Sequence, residues 1–242
     1  MRLSRIYTTQ SLSPNISLEL GDEPAHYISK VLRLRPGDEL LLFNGTDGEY
    51  LAQIHTVEKK SLTLRLHERR ANASDPLLAI HLGLGLSRGE RMDYAIQKAT
   101  EAGVGSITPL FTERCEVKLK QDRIENRLQH WERIAISACE QSGRCRIPII
   151  HTPLSLGDWL AKPVIGTGFV LDHKGTDCFA STQHPDAVTL LIGPEGGLTQ
   201  AEIDQATSCG FQPTRLGPRV LRTETAPLIA IAIIQHLWGD YS

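Results

Sequence analysis

Between Ala79 and Phe111 the sequence changes its hydrophobic period twice. Ile80, Leu82, Leu84 and Leu86 alternate with His81, Gly83 and Gly85, which is the period of a strand. Met92, Ala95, Ile96 and Ala99 then recur at helical spacing until Gly103 ends the helix, and Val104 to Phe111 returns to strand character. Strand, helix and strand within roughly 30 residues form a βαβ unit, so the two strands are parallel. The alternation continues with strands at Gly168–Leu171, closed by Asp172, and at Val188–Ile192, and with a short strand at Thr214–Leu216. On periodicity alone this part of the chain is an α/β domain with an ordinary doubly wound parallel sheet.

The amino-terminal part has a different pattern. From Leu40 to Leu66 the pattern has a period of two, clearest where Leu62, Leu64 and Leu66 alternate with Thr63, Arg65 and His67. Asn44-Gly45 and Asp47-Gly48 supply the turn chemistry. Half-buried strands joined this way predict a small β-barrel. Ahead of them, His26 to Arg33 reads as one short helix with Ile28, Val31 and Leu32 inward and Lys30 and Arg33 outward. The polar segment Arg69–Pro76 has linker composition, which places domains at residues 1–72 and 73–242. The barrel is either a docking module for RNA or a solubilising appendage.

Composition excludes several classes. The longest nearly apolar run, Pro227–Ile234, is too short to span a bilayer, and the first residues lack a signal-peptide core, so a cytoplasmic protein with no membrane partner is expected. Five cysteines without a C-x-x-C pair and nine histidines without H-E-x-x-H spacing predict no metal site. The net charge of -2 argues against a generic nucleic-acid binder, yet residues 151–242 carry only 5 of the 26 Lys and Arg. The basic residues gather in the first two thirds of the chain.

Two glycine-containing loops follow strands. Gly193-Pro194-Glu195-Gly196-Gly197 continues directly from a strand, and Thr199 and Glu202 then form a T-x-x-E capping box for a helix that stops at Gly210. Open α/β sheets bind ligands at that position, although the spacing fits neither the dinucleotide fingerprint nor the phosphate loop. The second loop, Leu216–Ala226, reads LGPRVLRTETA and runs into a terminal helix, Pro227–Trp238, that is apolar nearly all round. Such a helix is covered on more than one side, which suggests a subunit interface. Arg144 and Arg146, after the helix that Gly143 ends, either complement its dipole or hold phosphates.

IGPEGG at Ile192–Gly197 paired with LGPRVLRTETA at Leu216–Ala226 resembles the small-subunit ribosomal RNA uridine N3-methyltransferases of the SPOUT superfamily. SRGERMDYAIQKATEAGV at Ser87–Val104, CEQSGR at Cys139–Arg144, and His26, Val31 and Arg33 look like further segments of that family. The resemblance implies a PUA-like β-barrel followed by a SPOUT α/β domain with a carboxyl-terminal trefoil knot. It also implies S-adenosylmethionine (SAM) as methyl donor, a homodimer packed through the knot region, and a uridine of 16S ribosomal RNA in the decoding centre of the assembled small (30S) subunit. Carried over by motif, the cofactor pocket uses Leu171, Ile192, Gly193, Glu195, Gly196, Gly197, Leu216, Gly217, Val220, Leu221, Arg222, Thr223 and Ala226.

A sulfonium methyl is already electrophilic, so the protein must mainly align uridine N3 and help remove its proton. Arg222 or Arg219 would stabilise the charge that develops on the uracil oxygens, and Glu224 or Glu195, or a water, would accept the proton. Arg88, Arg91, Arg114, Lys118, Lys120, Arg144 and Arg146 are candidates for phosphate contacts, with Arg5, Lys30, Arg33 and Arg35 adding contacts from the barrel. Two other readings remain open: a non-catalytic RNA-binding assembly factor of the same fold, and a related methyltransferase acting on transfer RNA.

Overall fold

The structure, a computed structural model, describes residues 3–71, 74–117, 119, 121–175, 179 and 184–241. Its contacts divide the chain into two units, Met1–Asp75 with Cys139–Ile147, and Pro76–Ala138 with Pro148–Ser242.

In the first unit, β1 (Arg5–Tyr7), β2 (Ser17–Leu20), β3 (Glu39–Phe43), β4 (Glu49–Val57) and β5 (Leu62–Arg70) form a five-stranded sheet in the order β1-β3-β4-β5-β2. The sheet is curled into a half-barrel and not closed. Register shifts in the β4–β5 pair, between Tyr50 and Ala52 and between Ile54 and Thr56, supply local bends. The alternation read from the sequence sets its inner face, where Leu40, Leu42, Ala52, Leu62, Leu64 and Leu66 are fully buried. At the β3–β4 turn the Asn44 side-chain oxygen accepts from the backbone N–H groups of Thr46 (3.1 Å) and Asp47 (2.8 Å).

The expected helix at residues 26–33 is instead α1 (Asp22–His26) running into a π-helical turn, Tyr27–Val31. Leu32 N–H reaches the Tyr27 carbonyl, and this wider turn carries Val31 off the buried stripe. Ile28 is buried and Leu32 packs against the core, but Val31 is 58% exposed, contrary to its expected inward position.

The segment Cys139–Ile147 completes this unit. Arg5 is buried: its Nε donates to Glu49 Oε2 (2.6 Å), Nη1 to the Cys139 carbonyl (2.5 Å) and Nη2 to the Arg144 carbonyl (3.1 Å), with the guanidinium 4.5 Å over the Phe43 ring. Glu140 accepts from the Tyr7 N–H, and Asp75 Oδ1 accepts from the N–H groups of Cys145 and Arg146. Gly143, with φ of 100°, makes the reversal after the preceding helix.

The second unit contains β6 (Ala79–Gly85), α2 (Glu90–Glu101), β7 (Ser106–Phe111), α3 (Gln121–Ser142, its last turn grouped with the first unit), β8 (Ile149–Ile150), β9 (Leu154–Ser155), α4 (Leu156–Leu160), β10 (Thr167–Leu171), β11 (Ala187–Ile192), α5 (Gln200–Ser208), β12 (Phe211–Thr214) and α6 (Thr225–Trp238). The sheet is parallel, in the order β12-β10-β11-β6-β7-β8, with β9 also pairing with β7. Every residue of β11 is buried, as a strand covered on both faces requires.

β12 lies earlier than the expected Thr214–Leu216. Pro213 looks like a strand breaker, but on an edge strand a proline need not cost a ladder bond. The elements β8, β9 and α4 are too short to leave a periodic signal in the sequence.

Candidate active site

β6 leads to β7 and β8 on one side, while β11, β10 and β12 lie on the other, so the strand order reverses beside β11. Ligands of open α/β sheets sit outside the carboxyl ends of strands at such a point. Here the carboxyl ends of β10, β11 and β12 open into a cavity of about 470 Å³, within the range of small-molecule sites.

All thirteen residues assigned to the cofactor by resemblance line it, together with Arg219 and Glu224. Arg91 and Arg114 also reach the wall. Asp172, His173, Pro194, Leu198, Ile203, Thr214 and Arg215 line it as well and were missed. Several of them follow strand ends, so the carboxyl-end rule applied to β10 and β12 would have found them.

Three chain segments are joined behind this wall. The Thr223 hydroxyl, 8% exposed with its residue, donates to the Gly193 carbonyl (2.9 Å), which ties the second loop to the first. Because that proton is committed, Ser87 Oγ faces Thr223 as donor and shares its own proton with the Gly85 carbonyl, both at 3.3 Å. Gly85 is required by close approach, since a Cβ there would lie 2.4 Å from Pro194 N. Gly217 has φ of 91°, a conformation that side chains rarely adopt, and it turns the chain out of β12 toward Arg219. The capping box at α5 forms as read: Thr199 Oγ1 accepts from Glu202 N–H and Glu202 Oε2 accepts from Thr199 N–H.

The charged groups differ in how firmly they are held. Glu195 Oε1 accepts from the Arg88 N–H (3.0 Å) and from Arg91 Nη1 (3.3 Å). Burial raises the pKa of its carboxyl, but the Arg88 N–H, its own N–H and Arg91 together outweigh burial and leave it below the ordinary glutamate value. Glu224 is mostly covered and lies 4.0 Å from Arg222, whose side chain is 79% exposed. Arg219 and Val220 are exposed at the cavity mouth, and Val220 is an apolar side chain with nothing over it.

The basic residues do not form one set. Arg5 and Arg144 are buried and are not presented to a phosphate, which corrects both expectations; Arg5 spends its donors on Glu49 and backbone carbonyls. Lys30, Arg33, Arg35 and Arg146 are exposed in the first unit. In the second unit Arg88 pairs with Glu116 (2.8 Å) and Arg114 donates to the Gly196 carbonyl (3.0 Å). Lys118 and Lys120 lie outside the described residues, as does Cys178. Among the described residues no group of three or more His, Cys, Asp or Glu could hold a metal ion, and no helix is long and apolar enough to cross a membrane.

This fold is that of an RNA methyltransferase. The model of a family described as RNA methyltransferase domain matches residues 73–235, and that of an RNA methyltransferase PUA domain matches residues 20–66. The chain belongs to this RNA methyltransferase family. It is 37% identical to ribosomal RNA small subunit methyltransferase E of Buchnera aphidicola (subsp. Acyrthosiphon pisum), over 99% of this chain and 96% of that one. Among solved structures, a Legionella pneumophila protein in complex with bound SAM shares 38% identity and a TM-score of 0.94, covering 99% of this chain and 100% of that one. Ribosomal RNA small subunit methyltransferase E of Neisseria gonorrhoeae, bound to SAM, shares 36% identity and a TM-score of 0.93, with 100% of both chains covered.

Proposed function

We propose that this chain transfers the methyl group of SAM to N3 of a uridine in the decoding centre of 16S ribosomal RNA, acting on the assembled 30S subunit. The observation that carries the reading is the cavity itself. Two loops, joined by the Thr223–Gly193 bond, line it with backbone groups and with Leu171, Ile192, Leu216, Leu221 and Ala226. Such a wall suits an adenine read by backbone N–H and C=O groups, and a cofactor without phosphates needs no cationic cradle. When bound, SAM supplies an electrophilic methyl group.

The residues of the chain hold the acceptor and manage its proton. Exposed Arg222 and Arg219 stand where they can stabilise negative charge on the uracil oxygens as N3 is deprotonated. Glu224, which lines the cavity 4.0 Å from Arg222, is the carboxylate assigned to accept the proton. Glu195 is already engaged by two donors and held below the ordinary glutamate value, which makes it a poor proton acceptor. The uncovered Val220 offers apolar surface for the base to rest on.

The domains of this reading are residues 1–72, a PUA-like module that adds RNA contacts, and residues 73–242, which carry catalysis and a carboxyl-terminal trefoil knot. A cytoplasmic homodimer belongs to it as well. In the single chain Leu228, Ile229 and Ile233 of α6 stay half-buried and Leu237 is 44% exposed, the kind of apolar face a second copy would cover.

Nucleoside mass spectrometry on small subunits lacking the modification, after incubation with protein and SAM, tests the proposal. New 3-methyluridine is expected in subunits and not in stripped RNA or transfer RNA; no product in the subunits would refute it. Arg222→Ala should lower turnover by about 10²–10³-fold, far more than it weakens SAM binding, and wild-type turnover in that variant would remove Arg222 from the chemistry.

A further inference from the structure

Three observations concern the side chains and backbone that hold the first cofactor loop. Arg91, in the first turn of α2, donates to Glu195. Arg114, in the segment after β7, donates to the Gly196 carbonyl, and its Cβ lies 2.9 Å from where a Cβ on Gly196 would stand. The Arg88 N–H donates to the same Glu195 oxygen that Arg91 uses. Two arginines, from the segments after β6 and after β7, thus grip adjacent residues of one loop.

The partners these cations already hold decide what they can do for RNA. The charge of Arg91 is compensated by Glu195, so replacing that partner with a phosphate gains little electrostatically. It would also release the loop that shapes the cavity.

We infer that Arg91 and Arg114 are positioning residues that hold the loop Gly193–Gly197 for SAM, through Glu195 and the Gly196 carbonyl, and are not RNA phosphate contacts. The inference rests on the proposed use of the cavity for SAM. It gives the basic residues separate roles, in which Arg91 and Arg114 serve the cofactor and phosphate binding falls to the exposed cations elsewhere.

Two titrations on the same variants test it: SAM binding by calorimetry, and binding to small ribosomal subunits across a salt series. Arg91→Ala and Arg114→Ala should each weaken SAM binding by about fivefold. The salt slope of subunit binding should stay at the wild-type value, whereas loss of one phosphate contact would lower it by about 0.7–0.9. Glu195→Gln keeps an acceptor for the Arg88 N–H but removes the charge. It should match Arg91→Ala, and the double variant should be no weaker than either single one. Unchanged SAM affinity with a reduced salt slope would overturn the inference, and so would additive losses in the double variant. Wild-type protein that fails to bind SAM at all would overturn the proposed function and this inference together; wild-type binding with unaffected variants would overturn the inference alone.

Discussion

Glu49→Ala should be among the most destabilising single substitutions in the first unit. The Arg5 and Glu49 side chains are 4% and 8% exposed and meet at 2.6 Å. Removing the carboxylate leaves a guanidinium that cannot lose its proton, enclosed by carbonyls, a sulfur and the Phe43 ring, with Glu140 nearby as a carboxylate that Arg5 does not hydrogen-bond. Breaking a buried pair from one side costs about 3–5 kcal/mol, a large part of the roughly 5–15 kcal/mol that keeps a protein folded. The measurement is a urea titration with hydrogen exchange read at the β4 amides, because Trp131, Trp159 and Trp238 all report on the second unit. Arg5→Ala combined with Glu49→Ala should cost less than the sum of the single changes, since either alone already strands its partner. A loss below about 1 kcal/mol for Glu49→Ala, the range of exposed pairs, or simple additivity would refute the argument.

Three further outcomes follow from the geometry. Gly85→Ala pushes a methyl group onto the Pro194 backbone and should weaken SAM binding at least tenfold, on the order of 1.4 kcal/mol, in calorimetry; unchanged affinity would mean the loop can retreat freely. The Glu195 brace depends on a carboxyl whose pKa in the fold lies below the ordinary 4.5, so its contribution is full above that value and fades as pH falls through the lower one. SAM affinity should therefore be flat between about pH 8 and pH 5 as far as this group is concerned, and a decline tracking Glu195 titration by NMR near neutrality would contradict the assignment. Burial raises the thiols of Cys139 and Cys145 to about 11, so neither should react with a disulfide reagent at neutral pH until urea opens the first unit.

The parallel sheet was legible because period and spacing are local: the strand, helix and strand from Ala79 to Phe111 could be read from apolar positions alone. The capping box at Thr199 and Glu202 was legible for the same reason. What escaped depends on partners remote in sequence. Val31 carries the right residue type for an inward position, and only the π-helical turn rotates it out. Arg5 reads as a surface cation because nothing nearby in sequence announces Glu49 or the carbonyls of residues 139 and 144. The cavity wall was found through motif resemblance. Periodicity alone located the two loops, but not the hydroxyl of Ser87 that stands behind them.

The bond from Arg5 to the Cys139 carbonyl spans 134 residues, and that to Arg144 spans 139. On a ribosome adding roughly 5–20 residues per second, Arg5 therefore waits on the order of ten seconds for these partners after it is made. During that interval β1 to β5 have all been synthesised, yet the piece of α3 that closes their arginine site has not. The half-barrel cannot reach its final form as a nascent domain finished before the next begins. It is sealed only when more than half of the chain exists.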